Sequence, residues 1–264
     1  MPRKPRWVET PVDSGVRTVR LTKWRYFHDY IMQKMLDLRQ FIWRGQESSK
    51  WLLEPTLDRI LRKRGLIRSA KAREDHLRRF KLSSRGRRGS NPPVLQGDND
   101  WWALGQHYGL ATPLLDWTSS PYVAAYFAFV RAENEGSLRR AVFGLSRFSV
   151  QAGSKAIVDA WQHTDKRPPI VELVEPLSDE NSRLVSQGGL FTRSPDGIDI
   201  EEWVRDNFDG DNRVPRLVKI TIPNADRELA LRSLNRMNIN HASLFPDLYG
   251  ASKSANLDLI IDKY

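Results

Sequence analysis

Hydrophobic positions along the chain fall into short alternating or continuous runs, separated by longer stretches with helical spacing, the pattern of a mixed α and β protein. Val16 to Leu21 alternates as a short strand, and Trp24, Phe27, Ile31 and Met35 then recur one helical turn apart. Phe41-Ile42-Trp43-Arg44-Gly45-Gln46 reads as a buried strand ending at Gly45. Further strands are expected at Arg140–Leu145, Ile170–Val174 and Arg216–Ile222, the last stopped by Pro223. Helices are expected from Pro55 through Leu61, over Ala156–Trp161, from Glu201-Glu202-Trp203, and over Ala225–Met237, with helical spacing through Leu229, Leu231 and Leu234. Another, capped by Asp98 or Asn99, carries Trp101, Trp102, Leu104 and Tyr108. Residues 1–15, rich in Pro and charge, read as a flexible N-terminal arm ahead of a single domain over 16–264.

The most apolar stretch, Gln106 to Ala128, organises the rest. Pro113 to Trp117 is extended, and Thr118-Ser119-Ser120 supplies hydroxyls that can cap a helix beginning near Pro121. Val123, Ala124, Tyr126, Phe127 and Val130 leave that helix almost no polar face before Arg131, so it belongs in the core. Taken alone, Thr118 to Ser120 need be nothing more than its cap.

Composition narrows the chemistry. There is no cysteine, so disulfides and thiolate metal sites are excluded, and His28, His76, His107, His163 and His241 show no ligand spacing. The basic opening residues lack an apolar run behind them and no segment reaches membrane-spanning length, which points to a cytoplasmic protein with no membrane partner. The net charge is +10, and it is uneven: Arg59 to Arg88 holds thirteen Lys or Arg against only Glu74 and Asp75. A basic helical insertion over about 59–93, closed by a Gly-, Ser- and Pro-rich loop, would attract polyanions. It could equally be a solvated helix face, with Leu66, Ile67, Leu77, Phe80 and Leu82 on its buried side.

Within this frame three features carry candidate chemistry. Arg44 follows three large apolar residues and must meet a carboxylate, Asp116 being the structural option, or a phosphate that its planar fork can grip. Gly45 lets a second backbone or a ligand approach closely, and Gln187-Gly188-Gly189 suits a turn against a flat partner. Asp247, next to Pro246, sits at a strand end or turn where a carboxylate can project into a cleft, although by itself it reads as a turn residue or helix cap.

The ordered set of Trp43-Arg44-Gly45-Gln46, Trp51 to Leu57, Gln106 to Ala128, Gln187-Gly188-Gly189-Leu190-Phe191 and Leu244-Phe245-Pro246-Asp247-Leu248-Tyr249-Gly250 resembles the FRG domain family over roughly residues 20–255. Trp43 occupies the aromatic position of the family's Phe/Tyr-Arg-Gly signature. The motif order is similar to that of Arg-Ser-Glu type ADP-ribosyltransferases. That resemblance implies an α+β fold whose split, mostly antiparallel sheets form a cleft, flanked by helices at 23–38, 98–108 and 119–132. It implies NAD as co-substrate, held by Arg44, Gly45, Tyr108, Trp117, Thr118, Ser119 and Gln187, with Arg44, Ser119 and Asp247 in catalytic roles. The family type has a Glu-x-Glu near its last strands, because the nicotinamide-ribose cleavage develops an oxocarbenium-like centre that a carboxylate stabilises. No such motif occurs in the C-terminal third; Asp247 is the substitute by chain order, with Glu201 or Glu202 behind it and Asp116 a further carboxylate. The expectation is a toxin or antiphage effector, with a nucleic-acid acceptor reached through Arg59–Arg88 and a neutralising antitoxin as partner. The alternative is a non-catalytic nucleic-acid-binding module.

Overall fold

A computed structural model describes residues 5–132, 137–163, 167–176, 185–210 and 213–264. Its eight strands are β1 (Trp7–Glu9), β2 (Val16–Leu21), β3 (Phe41–Gln46), β4 (Leu114–Thr118), β5 (Arg139–Ser146), β6 (Glu172–Val174), β7 (Gly189–Arg193) and β8 (Leu217–Pro223). They form one sheet in the order β1-β2-β8-β5-β3-β4-β7-β6. Every pairing is antiparallel except β2 with β8, where Val16 lies opposite Leu217.

The described helices are α1 (Tyr26–Tyr30, continued by a π-helical turn over Ile31–Met35), α2 (Thr56–Lys63), α3 (Ala70–Ser83), α4 (Asp98–His107), α5 (Pro121–Phe129), α6 (Arg147–Ala160), α7 (Ile200–Asn207), α8 (Arg227–Arg236), α9 (His241–Leu244) and α10 (Leu248–Ile260). Strand alternation divides the core between the two faces of the sheet. Phe41, Trp43, Val142, Val218 and Ile220 pack with α1, α5, α8 and α10 on one face, and Ile42, Phe143, Leu145 and Trp117 pack with α6 and α7 on the other. A third cluster joins α2, α3 and α4 to Leu114, Phe191 and Val174. No helix among the described residues is long and apolar enough to cross a membrane.

Several sequence expectations need correction. Trp7–Glu9, assigned to the arm, pairs along β2, because the Trp7 ring meets Tyr30 edge-on and its indole N–H reaches Glu9. Neither Asp98 nor Asn99 caps α4: extended Gly97 holds that position, and the Asp100 carboxylate accepts from the backbone N–H of Gln96. Around Ala156 the helix is longer than its periodicity indicates, starting at Arg147 behind a Ser146 cap, and Gly153 lets the Trp203 ring close on it. The strand expected over Ile170–Val174 is confined to Glu172–Val174.

As its pattern requires, α5 is a core helix. Ser120 accepts from Val123 N–H and Pro121 occupies the first turn. At the other end, fully buried Arg140 donates to the carbonyls of Ala128, Arg131 and Ala132, and Arg227 donates to those of Phe129 and Val130. Two guanidinium groups thus satisfy carbonyls that a helix C-terminus leaves open, and their charge opposes its dipole. The helix lies directly on β3: a Cβ on Gly45 would stand 1.9 Å from Ala124 O and 2.6 Å from Ala128 N. Of the two approaches Gly45 could permit, the one present is that of a second backbone.

Candidate functional site

The sheet parts between β3 and β4. Six residue pairs join β3 to β5 and five join β4 to β7, whereas a single pair, Trp43 with Thr118, joins β3 to β4. Beyond that pair the strands diverge around a cavity of about 950 Å³, within the size range of nucleotide and cofactor pockets. Trp43, Phe127, Phe191 and Phe245 give it apolar walls, Trp51 stands in its lining half-exposed, and its cations are Arg44, Lys50, Arg59 and Arg131.

Arg44 sits where the strands part. Nη1 donates to the backbone carbonyl of Asp116 at 2.7 Å and lies 3.6 Å from its carboxylate. The Arg44 side chain is 18% exposed against 65% for Asp116, and its buried Nε has no hydrogen-bond partner. Burial pushes the Arg44 guanidinium below its ordinary pKa; Asp116 offsets part of this, and the charge of Arg59 adds to it. Two guanidinium groups therefore line one recess, and the carboxylate beside Arg44 is solvent-exposed. Asp116 is in turn held by Gln106, whose Nε2 donates to Oδ1 at 2.8 Å, while Thr112 donates to the other end of the same amide.

On the β4 side, Thr118 donates to Gln187 O at 2.6 Å and accepts from Ser120 N–H, so the hydroxyl run organises backbone around the cleft. Gln187 lines the cavity and its side-chain amide donates to Leu244 O. Gly188 has a φ of +54°, and a Cβ there would lie 2.6 Å from the Ser119 hydroxyl, so both its conformation and its neighbour demand glycine. The residues 181–184 that precede this turn lie outside the described ones.

Of the site residues expected from sequence, Arg44, Gly45, Trp117, Thr118 and Gln187 converge on this one cavity, joined by Asp116. Ser119 instead lines a separate recess of about 270 Å³ with Gly188, Arg39 and Arg147. Tyr108 ends α4 with its ring against His107 and is 71% exposed. Asp247 caps α10 by accepting from Gly250 N–H, outside the cavity lining, and Glu201 pairs with Arg205 and Lys219. Glu202 follows it in the first turn of α7, also outside the lining.

The carboxylates in the lining are Glu47, Glu54 and Asp116. Glu54 is buried against Arg62, and Glu47, 14% exposed, lies 3.5 Å from Arg131. Glu47, Glu54 and Gln106 are not among the site residues expected from sequence, and Arg59 is expected only as one end of the basic segment. For Glu47 the available signal is its place three residues after Arg44, immediately beyond the strand that delivers it.

No curated protein and no solved structure matches the chain. Residues 39–137, more than a third of the chain, match the family model described as the FRG domain, a span that holds Arg44, Gly45, Glu47 and the whole Gln106–Ala128 stretch but stops short of Gln187 and Asp247. Residues 39–137 thus carry an FRG domain, and Trp43-Arg44-Gly45 lies within it at the place of that domain's aromatic-Arg-Gly signature.

Proposed function

We propose that the cleft between β3 and β4 binds NAD and cleaves its nicotinamide-ribose bond, transferring ADP-ribose to an acceptor or to water. The observation that carries this reading is Arg44: a guanidinium at the parting of a sheet, with an unpartnered Nε and only one exposed carboxylate beside it. A diphosphate supplies the missing acceptors, and Arg59 adds a second cation to it. The aromatic walls offer surfaces for the adenine and nicotinamide rings.

In this mechanism the bond from ribose C1′ to the nicotinamide nitrogen breaks and its electron pair leaves with nicotinamide. The resulting oxocarbenium-like centre is stabilised by a carboxylate and captured by the acceptor oxygen or nitrogen, which forms the new bond to C1′. Glu47 fits that role better than Asp247, because it lines the cavity and is nearly enclosed. It then takes the proton released by the acceptor and passes it to solvent. Thr118 and Gln187 fix the backbone against which the ribose rests.

Incubation of the protein with NAD, alone and with total RNA or lysate, is expected to release nicotinamide, and Arg44→Ala is expected to abolish release while keeping a cooperative melt. NAD left intact under all these conditions, together with no heat of NAD binding by calorimetry, would return the cleft to a non-catalytic role.

A further inference from the structure

The basic segment anticipated from sequence is an ordered hairpin of α2 and α3; Arg59 donates to Glu54 O and Thr56 Oγ1, and the other twelve cations differ in what they meet. Four have carboxylate partners: Arg62 with Glu54, Arg73 with Asp58 and Asp196, Arg78 with Asp75, and Lys81 with Asp98. Arg73 is 4% exposed and Asp58 2%, so that ion pair anchors the hairpin internally. Arg88 is turned onto the Trp101 ring and the carbonyl of Pro93. Lys63, Arg64, Arg68, Lys71, Arg79, Arg85 and Arg87 remain, all exposed and without a carboxylate partner among the described residues. Against these seven the same surface offers one exposed acid, Glu74, besides the already paired Asp75.

A solvated helix face accounts for the paired cations and leaves these seven unexplained, because like charges so clustered repel one another in the free protein. The hairpin also begins inside the cleft. Arg59 of α2 lines the cavity, and Lys63 follows it one turn further along the same helix face. Positive charge therefore runs outward from Lys50 and Arg59 through Lys63 to α3. Trp51, 45% exposed, stands in the cavity lining at the start of this track.

We infer that this track binds single-stranded nucleic acid, its phosphates along α2 and α3 and one base stacked on Trp51, so that a nucleotide of the strand is presented to the cleft as acceptor. A single strand is favoured over a duplex because the reacting group must enter a recess within a sheet, which requires a base or strand end free of its stack. A cationic groove with an aromatic platform is the usual solution for such strands. This inference rests on the catalytic reading for the strand's role as acceptor, and on the charge and the tryptophan alone for its binding.

The test is fluorescence anisotropy of the full chain with a labelled single-stranded RNA, the matching DNA strand and the duplex, over a series of salt concentrations. Single strands of either sugar are expected to bind more tightly than the duplex. Combined Lys63→Glu, Arg64→Glu, Arg79→Glu and Arg85→Glu is expected to weaken binding more than tenfold and to lower the slope of log affinity against log salt by about 3, at roughly 0.7 per phosphate contact. Trp51→Ala should cost about tenfold in affinity with little change in that slope. The charge-reversed protein should keep its melting temperature and its release of nicotinamide in the absence of oligonucleotide. Undiminished affinity in the reversed protein, or a preference for duplex, overturns the inference. A wild type that binds strands in this pattern yet leaves NAD intact supports the track and overturns the catalytic reading instead.

Discussion

Arg44 and Asp116 meet across the parting of the sheet through unequal contacts, 2.7 Å from Nη1 to the Asp116 backbone carbonyl and 3.6 Å to its carboxylate. The closer contact is to an uncharged acceptor fixed in β4, so the guanidinium is positioned without being neutralised. The longer one involves a carboxylate mostly in water, where an ion pair contributes about 1 kcal/mol or less. Asp116→Asn keeps the backbone acceptor, and unfolding free energy is expected to change by no more than about 1 kcal/mol. With the competing charge gone, NAD should bind several-fold more tightly by calorimetry. Equal or weaker binding would count against a phosphate at Arg44.

Gly45 faces a stricter constraint than its neighbour. A methyl group there would overlap the main chain of α5 at Ala124 and Ala128, and backbone cannot step aside as a side-chain tip can. Gly45→Ala is therefore expected to cost about 3 kcal/mol or more, or to prevent folding, as read by urea denaturation. A variant of wild-type stability would mean that α5 does not rest on β3 as described.

Asp247 and Glu47 make opposite predictions. Asp247 accepts from Gly250 N–H at the start of α10, and losing such a cap costs about 1 kcal/mol. Asp247→Ala is expected to lower the melting temperature and leave the rate of nicotinamide release per folded molecule unchanged. Glu47→Gln preserves shape and removes the charge proposed to stabilise the reacting carbon. It is expected to reduce kcat by about a hundredfold or more with little effect on stability. The reverse outcome, activity lost with Asp247 and kept with Glu47→Gln, would restore the assignment made from chain order.

That contrast marks what the sequence could convey. The β3 strand, the extended Leu114–Thr118 segment and the Ser120 cap were legible because each depends on residues adjacent in sequence. Arg44 was legible too, as a charge among apolar residues, and Asp116 stood out as its alternative neighbour. Distance through space was not encoded in the same way. Leu244 and Phe245 come to the cleft, with Gln187 donating to the first and Phe127 meeting the second edge-on, whereas Asp247, two residues on, turns away to cap a helix. The partition of the basic segment was equally hidden, since Arg73 finds Asp58 only once α2 and α3 pack. Strand order had no local signal at all: β2 pairs with β8 from opposite ends of the chain.

Stability should fall as the pH drops through the histidine range, and His241 is the reason. Its ring is buried, shares a hydrogen bond through Nδ1 with the Tyr126 hydroxyl, stacks on Phe245 at 4.9 Å and lies edge-on to Tyr249. Burial, and then the charge of Lys253, hold its pKa below the ordinary 6.5; the Tyr126 and Tyr264 hydroxyls, both pushed up by burial, supply no negative charge at neutral pH. Because the unfolded chain takes up the proton first, stability present above about pH 6.5 is lost as the pH falls toward the depressed folded value. Asp58 and Asp199, raised by burial, act in the opposite sense, gaining stability on protonation, but in the carboxylate range below about pH 5. His241→Gln removes the titration, so the wild type should hold a stability advantage at pH 7.5 that shrinks by about pH 5.5 in paired thermal melts. A gap that stays constant across that interval would show that the ring protonates in the folded protein as readily as in the unfolded chain, and that its contact with Tyr126 does not depend on its being neutral.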